Sequence, residues 1–145
     1  MRKILAKMIT VKTDINSQLL KVWNYWTDPA HIIHWNFASE DWHCPKAENN
    51  LTKNGSFCYT MAAKDGSVQF DFKGQYQVIE PLNTIEYVIE DGRRVRIEFE
   101  ALSESITSVT EHFEPEQIHS EELQQQGWQA ILNQFKKYAE SKKED

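Results

Sequence analysis

Strand-period segments run from Phe57 to Phe113 and are followed by one long helical stripe, and this succession constrains the fold more than any other feature of the sequence. In a strand, successive side chains point to opposite faces, so apolar residues spaced by two share one side of a sheet. Phe57, Tyr59 and Met61 form the first such set, and Lys64-Asp65-Gly66 reads as a turn. Phe70, Phe72, Tyr76 and Val78 form the next, interrupted by Gly74, where a bulge or kink is expected. Pro81-Leu82-Asn83 turns the chain before Ile85, Tyr87 and Ile89, and Asp91-Gly92 is a hairpin signal. Val95, Ile97, Phe99 and Ala101 then alternate with Arg94, Arg96, Glu98 and Glu100, one face dry and the other wet. Val109 and Phe113 lie on a last strand that Pro115 ends.

The helical stripe is Leu123, Gly127, Trp128, Ile131, Leu132, Phe135 and Ala139. Ser120 can cap it, Glu121 and Glu122 sit in its first turn, and Lys136, Lys137, Lys142 and Lys143 lie near its end, both biases suiting the helix dipole. Before the strands, residues Ala6 to Ile15 alternate as a first strand. Asn16 is placed to cap a helix carrying Leu19, Val22, Trp23 and Trp26 on one face. Asp28-Pro29 starts a short second helix through Ile32 and Ile33 to about Trp35. From Asn36 to Asn54 the pattern is irregular, with one short strand near Cys44 to Glu48, and the tail from Ser141 to Asp145 is expected to fray. Tight turns between consecutive strands imply an antiparallel sheet with one face to cover, and the last helix is the element long enough to cover it. We therefore expect an α+β fold, a single domain over residues 1–145, with six or seven curved strands around a long C-terminal helix.

Composition narrows the function. A formal charge of −6 argues against a nucleic-acid partner, which calls for a concentrated basic face. The cluster Arg93, Arg94 and Arg96 is interleaved with Glu98 and Glu100 and reads as the wet face of a strand. No stretch approaches the roughly 18 apolar residues of a membrane span, and MRKILAKMITVK lacks the apolar run of a signal peptide. Cys44 and Cys58 make no disulfide framework, which places the protein in a reducing cytoplasm.

Three patches carry a resemblance: VWNYWTDPAHIIHW, the strand pair GQYQVIEPLNTIEY, and GWQAILNQFKKY in the last helix. In order and spacing, over nearly the whole chain, they resemble the family named after the activator of heat shock protein 90 ATPase. That family belongs to the START and birch-pollen-allergen superfamily, with its helix-grip fold. The resemblance implies a long helix lying across a concave sheet, with a hydrophobic small molecule often held between them. The superfamily also supports sensing, cyclisation and chaperone-related roles on one scaffold.

The candidate site follows from the inner face. Phe57, Tyr59, Phe72, Tyr87 and Phe99 would face Trp128, Ile131 and Phe135, as packed core or as the lining of a ligand cavity. The hydroxyls of Tyr59 and Tyr87 could orient a polar end of the ligand. Trp42 is the aromatic anchor of the segment WNFASEDWHCP, expected at the pocket mouth. Glu111 faces inward by strict alternation, or is turned to solvent by a bulge near Pro115. His43 and Cys44 are adjacent and so point apart in an extended chain, and with His31, His34 and Cys58 they lack the paired short spacings of a zinc site. Neither a metal nor a cofactor is expected, and no nucleophile motif or phosphate loop appears. The expected function is binding of a small lipid-like or polycyclic aromatic ligand as carrier or sensor, by a monomer or weak homodimer. The alternatives are a chaperone ATPase co-regulator, and a cyclase- or hydrolase-like enzyme using Glu111, Tyr59 or Tyr87.

Overall fold

A computed structural model of the chain describes residues 7–142. β1 (Ile9–Ile15) is followed by two helices, α1 (Leu19–Thr27) and α2 (Pro29–Ile32). Six strands follow: β2 (Trp42–Asn49), β3 (Ser56–Ala63), β4 (Gln69–Glu80), β5 (Thr84–Ile89), β6 (Arg94–Ala101) and β7 (Thr107–Phe113). The chain closes with α3 (Glu121–Ser141). All neighbouring strands are antiparallel, in the order β1-β7-β6-β5-β4-β3-β2. The chain thus winds back across a curled sheet until β7 meets β1. The α+β helix-grip architecture is the one expected, with seven strands and two short helices between β1 and β2.

The core lies between the concave face of the sheet and the helices. Ile15, Val22, Ile32, Val109, Phe113, Leu132 and Phe135 are wholly buried there. Phe135 of α3 packs edge-on against Trp26 and Trp35, each with ring centroids 4.8 Å away, and so ties α3 to α1 and to the segment after α2. Such edge-to-face contacts align ring edges with π faces and add about 0.5–1.5 kcal/mol each beyond burial. Asp28 accepts from the Ala30 N–H, so Pro29 occupies the first helical position with its capping carboxylate in place.

Several local expectations are corrected. Asn16 does not cap α1, because the helix begins at Leu19 and the residue before it, Gln18, makes no side-chain cap bond. The Asn16 backbone N–H donates to Glu140 of α3 instead, at 2.9 Å. Gly74 forms no bulge: it stays in register with Phe57 on one side and Ile89 on the other, and the register shift comes later, between Tyr76 and Val78. A Cβ at Gly74 would lie 2.6 Å from the Phe57 ring, so the glycine is there for close approach. Leu123 is exposed, and Gln124 takes the buried place, accepting from the Glu116 N–H and donating to the Glu116 and His119 carbonyls. α2 ends at Ile32, short of Trp35, while β2 is longer than Cys44–Glu48. The register of β2 breaks between His43 and Lys46, where Pro45 has no N–H for the ladder. The last turn of α3 carries no basic residue, and Lys136 lies one turn earlier, paired with Glu140. Ala6 and Lys143–Asp145 fall outside the described residues.

Candidate functional site

A cavity of about 210 Å³ lies between the sheet, α1–α2 and α3. Tyr59 of β3, Phe72 of β4, Tyr87 of β5 and Glu111 of β7 line it from the sheet, and Trp128 and Ile131 line it from α3. The four other expected residues stand elsewhere. Phe57 is buried behind the wall, its ring 4.8 Å from those of Tyr59 and Tyr87. Phe99 packs on α1, with Trp23 and Trp26 at 5.0 and 5.9 Å. Phe135 is enclosed by Trp26 and Trp35, and the Trp42 ring lies 6.0 Å from that of half-exposed Phe70. For Phe99 and Phe135 the reason is common: the aromatic rings of α1 and the segment after α2 fill the hollow over them, whereas Phe57 is enclosed by Tyr59, Phe72, Tyr76 and Tyr87 of the sheet itself.

Residues not expected complete the lining. Met61, Phe70, Tyr76, Ile85 and Ile97 come from the strands. Each shares the alternation phase of a neighbour that was singled out, so that signal was present in the sequence. Trp26 enters from the apolar face of α1, Trp35 and Asn36 from the start of the segment expected at the pocket mouth, and Arg93 from the β5–β6 turn with no local pattern to mark it. Arg93 precedes β6 and so escapes its alternation. It pairs with Asp91 through Nε at 2.9 Å, while Arg94 and Arg96 stay on the wet face with Glu114, Glu86 and Glu98.

The polar groups divide into two sets. On one wall the Tyr59 hydroxyl donates to Tyr76. Tyr76 donates to Asn49 Oδ1 at 2.5 Å, and Asn49 Nδ2 donates to the Thr27 carbonyl at 2.7 Å. This relay pairs the polar groups of buried Tyr76 and half-buried Asn49 and anchors the end of α1 to β2. Burial holds the Tyr76 phenol up at about 12 and raises Tyr59 well above the usual tyrosine range.

On the other wall, Glu111 sits between Val11 of β1 and Ile97 of β6, in unbroken register and 5% exposed. Of its two readings, the inward one holds; no bulge turns it to solvent. Its carboxyl has neither hydrogen bond nor ion pair among the described residues, and burial alone raises it to about 8. Tyr87, also facing the cavity, makes no hydrogen bond through its hydroxyl among those residues, and burial and the nearby Glu111 raise it well above its ordinary value. Unpaired buried polar groups are rare and costly, so a cavity that keeps two of them has room for a partner.

The histidines and cysteines are placed otherwise. His31 Nδ1 lies 2.6 Å from the Tyr138 hydroxyl, and His34 stacks on the Tyr138 ring. Buried Cys44 contacts the Lys46 carbonyl through sulfur at 3.5 Å, and burial raises its thiol to about 11, an inert state. Among the described residues no three His, Cys, Asp or Glu side chains gather as metal ligands, and no helix is long and apolar enough to cross a membrane.

Comparison with known proteins agrees with this architecture. The AHSA1-like protein from Aeromonas hydrophila, solved in solution, is 40% identical with a TM-score of 0.87 over 92% of both chains. A protein from Cytophaga hutchinsonii is 50% identical, with a TM-score of 0.79 over 92% of both. One from Nitrosomonas europaea shares only 15% identity yet reaches 0.80 over 97% of this chain and 99% of its own, a likeness of fold alone. No curated protein matches the chain. Residues 17–140 match the family described as Activator of Hsp90 ATPase homolog 1-like protein, and the chain belongs to that family.

Proposed function

We propose that the protein binds a small, mainly aromatic ligand in the cavity between sheet and α3, as a carrier or sensor in the cytoplasm. The observation that carries this reading is an aromatic-walled cavity lined by two buried polar side chains, Glu111 and Tyr87, without hydrogen-bond partners among the described residues. Drug-sized pockets run from ~300 Å³ upward, whereas a dry 150 Å³ cavity holds benzene. At about 210 Å³ the site suits one ring with a small substituent rather than a larger polycycle. Roughly ten buried heavy atoms support micromolar affinity once ordering costs are met.

The test is titration with small monocyclic aromatics, followed by the indole N–H resonances of Trp26, Trp35 and Trp128. Saturable shifts at these indoles are expected. Unmoved indole signals across a broad set of monocyclic compounds would remove the proposal.

A second reading, chaperone ATPase regulation, rests on the family match over residues 17–140. Stimulation of the host chaperone's ATPase by the full chain is the measurement that separates it from ligand carriage.

A further inference from the structure

Eight of the fifteen residues lining the cavity are aromatic, namely Trp26, Trp35, Tyr59, Phe70, Phe72, Tyr76, Tyr87 and Trp128. Aromatic faces carry negative potential and attract cations placed over them. The cavity also holds one carboxyl, Glu111, fully buried and unpaired among the described residues. The one cationic side chain in the lining, Arg93, already has its charge balanced by Asp91. A negative net charge of −6 draws cations toward the protein and repels anions.

We infer that the ligand of this cavity is a small organic cation, an aryl or alkyl ammonium whose positive end rests against Glu111 within the ring of aromatic faces. The inference rests on the cavity being a ligand site, as proposed above. A weakly hydrated, alkylated ammonium suits the site best. It loses little solvation on entry, and it gains a carboxylate and several π faces at once. An anionic ligand would find no unbalanced cation in the lining to offset its charge.

The site's own titration gives the inference a signature. The titratable groups that share the cavity lining with Glu111 are Tyr59, Tyr76 and Tyr87 from the sheet, of which Tyr87 feels its charge, and Arg93 from its turn; α1, the segment after α2 and α3 contribute Trp26, Trp35, Asn36, Trp128 and Ile131. The tyrosines are held neutral through pH 9 by burial, and Arg93 is paired. Between pH 6 and 9 only Glu111 changes charge in the cavity, near pH 8. A cation must therefore displace its proton. Binding at pH 7 should release close to one proton, and affinity should rise about tenfold between pH 7 and pH 9.

Phenyltrimethylammonium and its uncharged isostere tert-butylbenzene test this by calorimetric titration at pH 7 and 9, in buffers of differing ionisation enthalpy. The cation carries a fixed charge, so its pH profile reports the protein alone. The cation is expected to bind more tightly at pH 9, with proton release at pH 7, while the isostere shows neither effect. Glu111→Gln is expected to weaken the cation at least tenfold at pH 9 and to leave tert-butylbenzene unchanged. Equal affinity for both compounds at pH 9, an absence of proton release, or full cation affinity in Glu111→Gln would each overturn the cation assignment while leaving ligand carriage standing. Failure of both compounds to bind the unmodified protein would overturn the two readings together. Proton release is read on the unmodified chain, so the test survives a variant that does not fold.

Discussion

Trp128 lies flat on Phe113, with ring centroids 4.0 Å apart and planes 10° from parallel. Phe113 is wholly buried at the end of β7, whereas Trp128 is half-buried and turns its other side to the cavity. One contact thus fixes α3 against the sheet and sets one wall of the site.

Trp128→Ala is expected to cost about 2–4 kcal/mol, toward the lower part of the range for large-to-small aromatic changes because Trp128 is only half-buried. Trp128→Phe, which keeps a ring over Phe113, should cost about 1 kcal/mol. Urea unfolding of both variants checks the ranking. Equal losses would mean that the stack contributes nothing beyond bulk.

The carboxyl of Glu111 makes stability depend on pH in a direction opposite to that of most carboxylates. Its folded value of about 8 lies above the ordinary 4.5, so folding takes up a proton between those limits. Its contribution is fully present below pH 4.5 and is lost as pH rises toward 8, at up to about 1.4 kcal/mol per pH unit. Denaturation midpoints of the unmodified protein and Glu111→Gln, compared at pH 5, 6.5 and 8, should diverge steadily in favour of the variant. Parallel curves would place the carboxyl in water.

Gly74→Ala sets a methyl group 2.6 Å from the Phe57 ring and 3.0 Å from the Val88 carbonyl. Overpacking of this kind costs about 1–3 kcal/mol. Pairing it with Phe57→Leu should recover at least 0.5 kcal/mol relative to the sum of the single changes. Strict additivity in the double-mutant cycle would show that Phe57 is not what excludes the methyl.

Asn49 joins the Tyr76 hydroxyl to the Thr27 carbonyl, so Asn49→Ala takes the acceptor from the first and the donor from the second, both part-buried. A loss of about 2–4 kcal/mol is expected. Tyr76→Phe takes a partner from both the Tyr59 hydroxyl and Asn49 Oδ1 and should cost a comparable amount, about 2–3 kcal/mol. Thermal unfolding measures both losses, and a Tyr76→Phe variant as stable as the unmodified protein would contradict the relay.

Much of this protein was legible in the sequence because its signals are local. Alternation marked the inward side chains of β5, β6 and β7, leaving Glu111 open between an inward place and a bulge, and the turn residues placed every hairpin from β3 to β6. A stripe of three- and four-residue spacings located α3, and Asp28-Pro29 located α2. Periodicity is a property of the chain itself, so no distant contact was needed to read it.

What lines the cavity, as opposed to what fills the core, was decided only by tertiary packing. Phe99 and Tyr87 alternate alike, yet α1 covers the first with Trp23 and Trp26 and leaves the second open to the hollow. Trp26, Trp35 and Arg93 reach the site from segments with no shared pattern, and Gly74 is needed because a ring from the next strand rests on it. Burial against a particular neighbour depends on where helices settle on a curved sheet, and that settlement is a balance of many weak contacts between residues far apart in the chain.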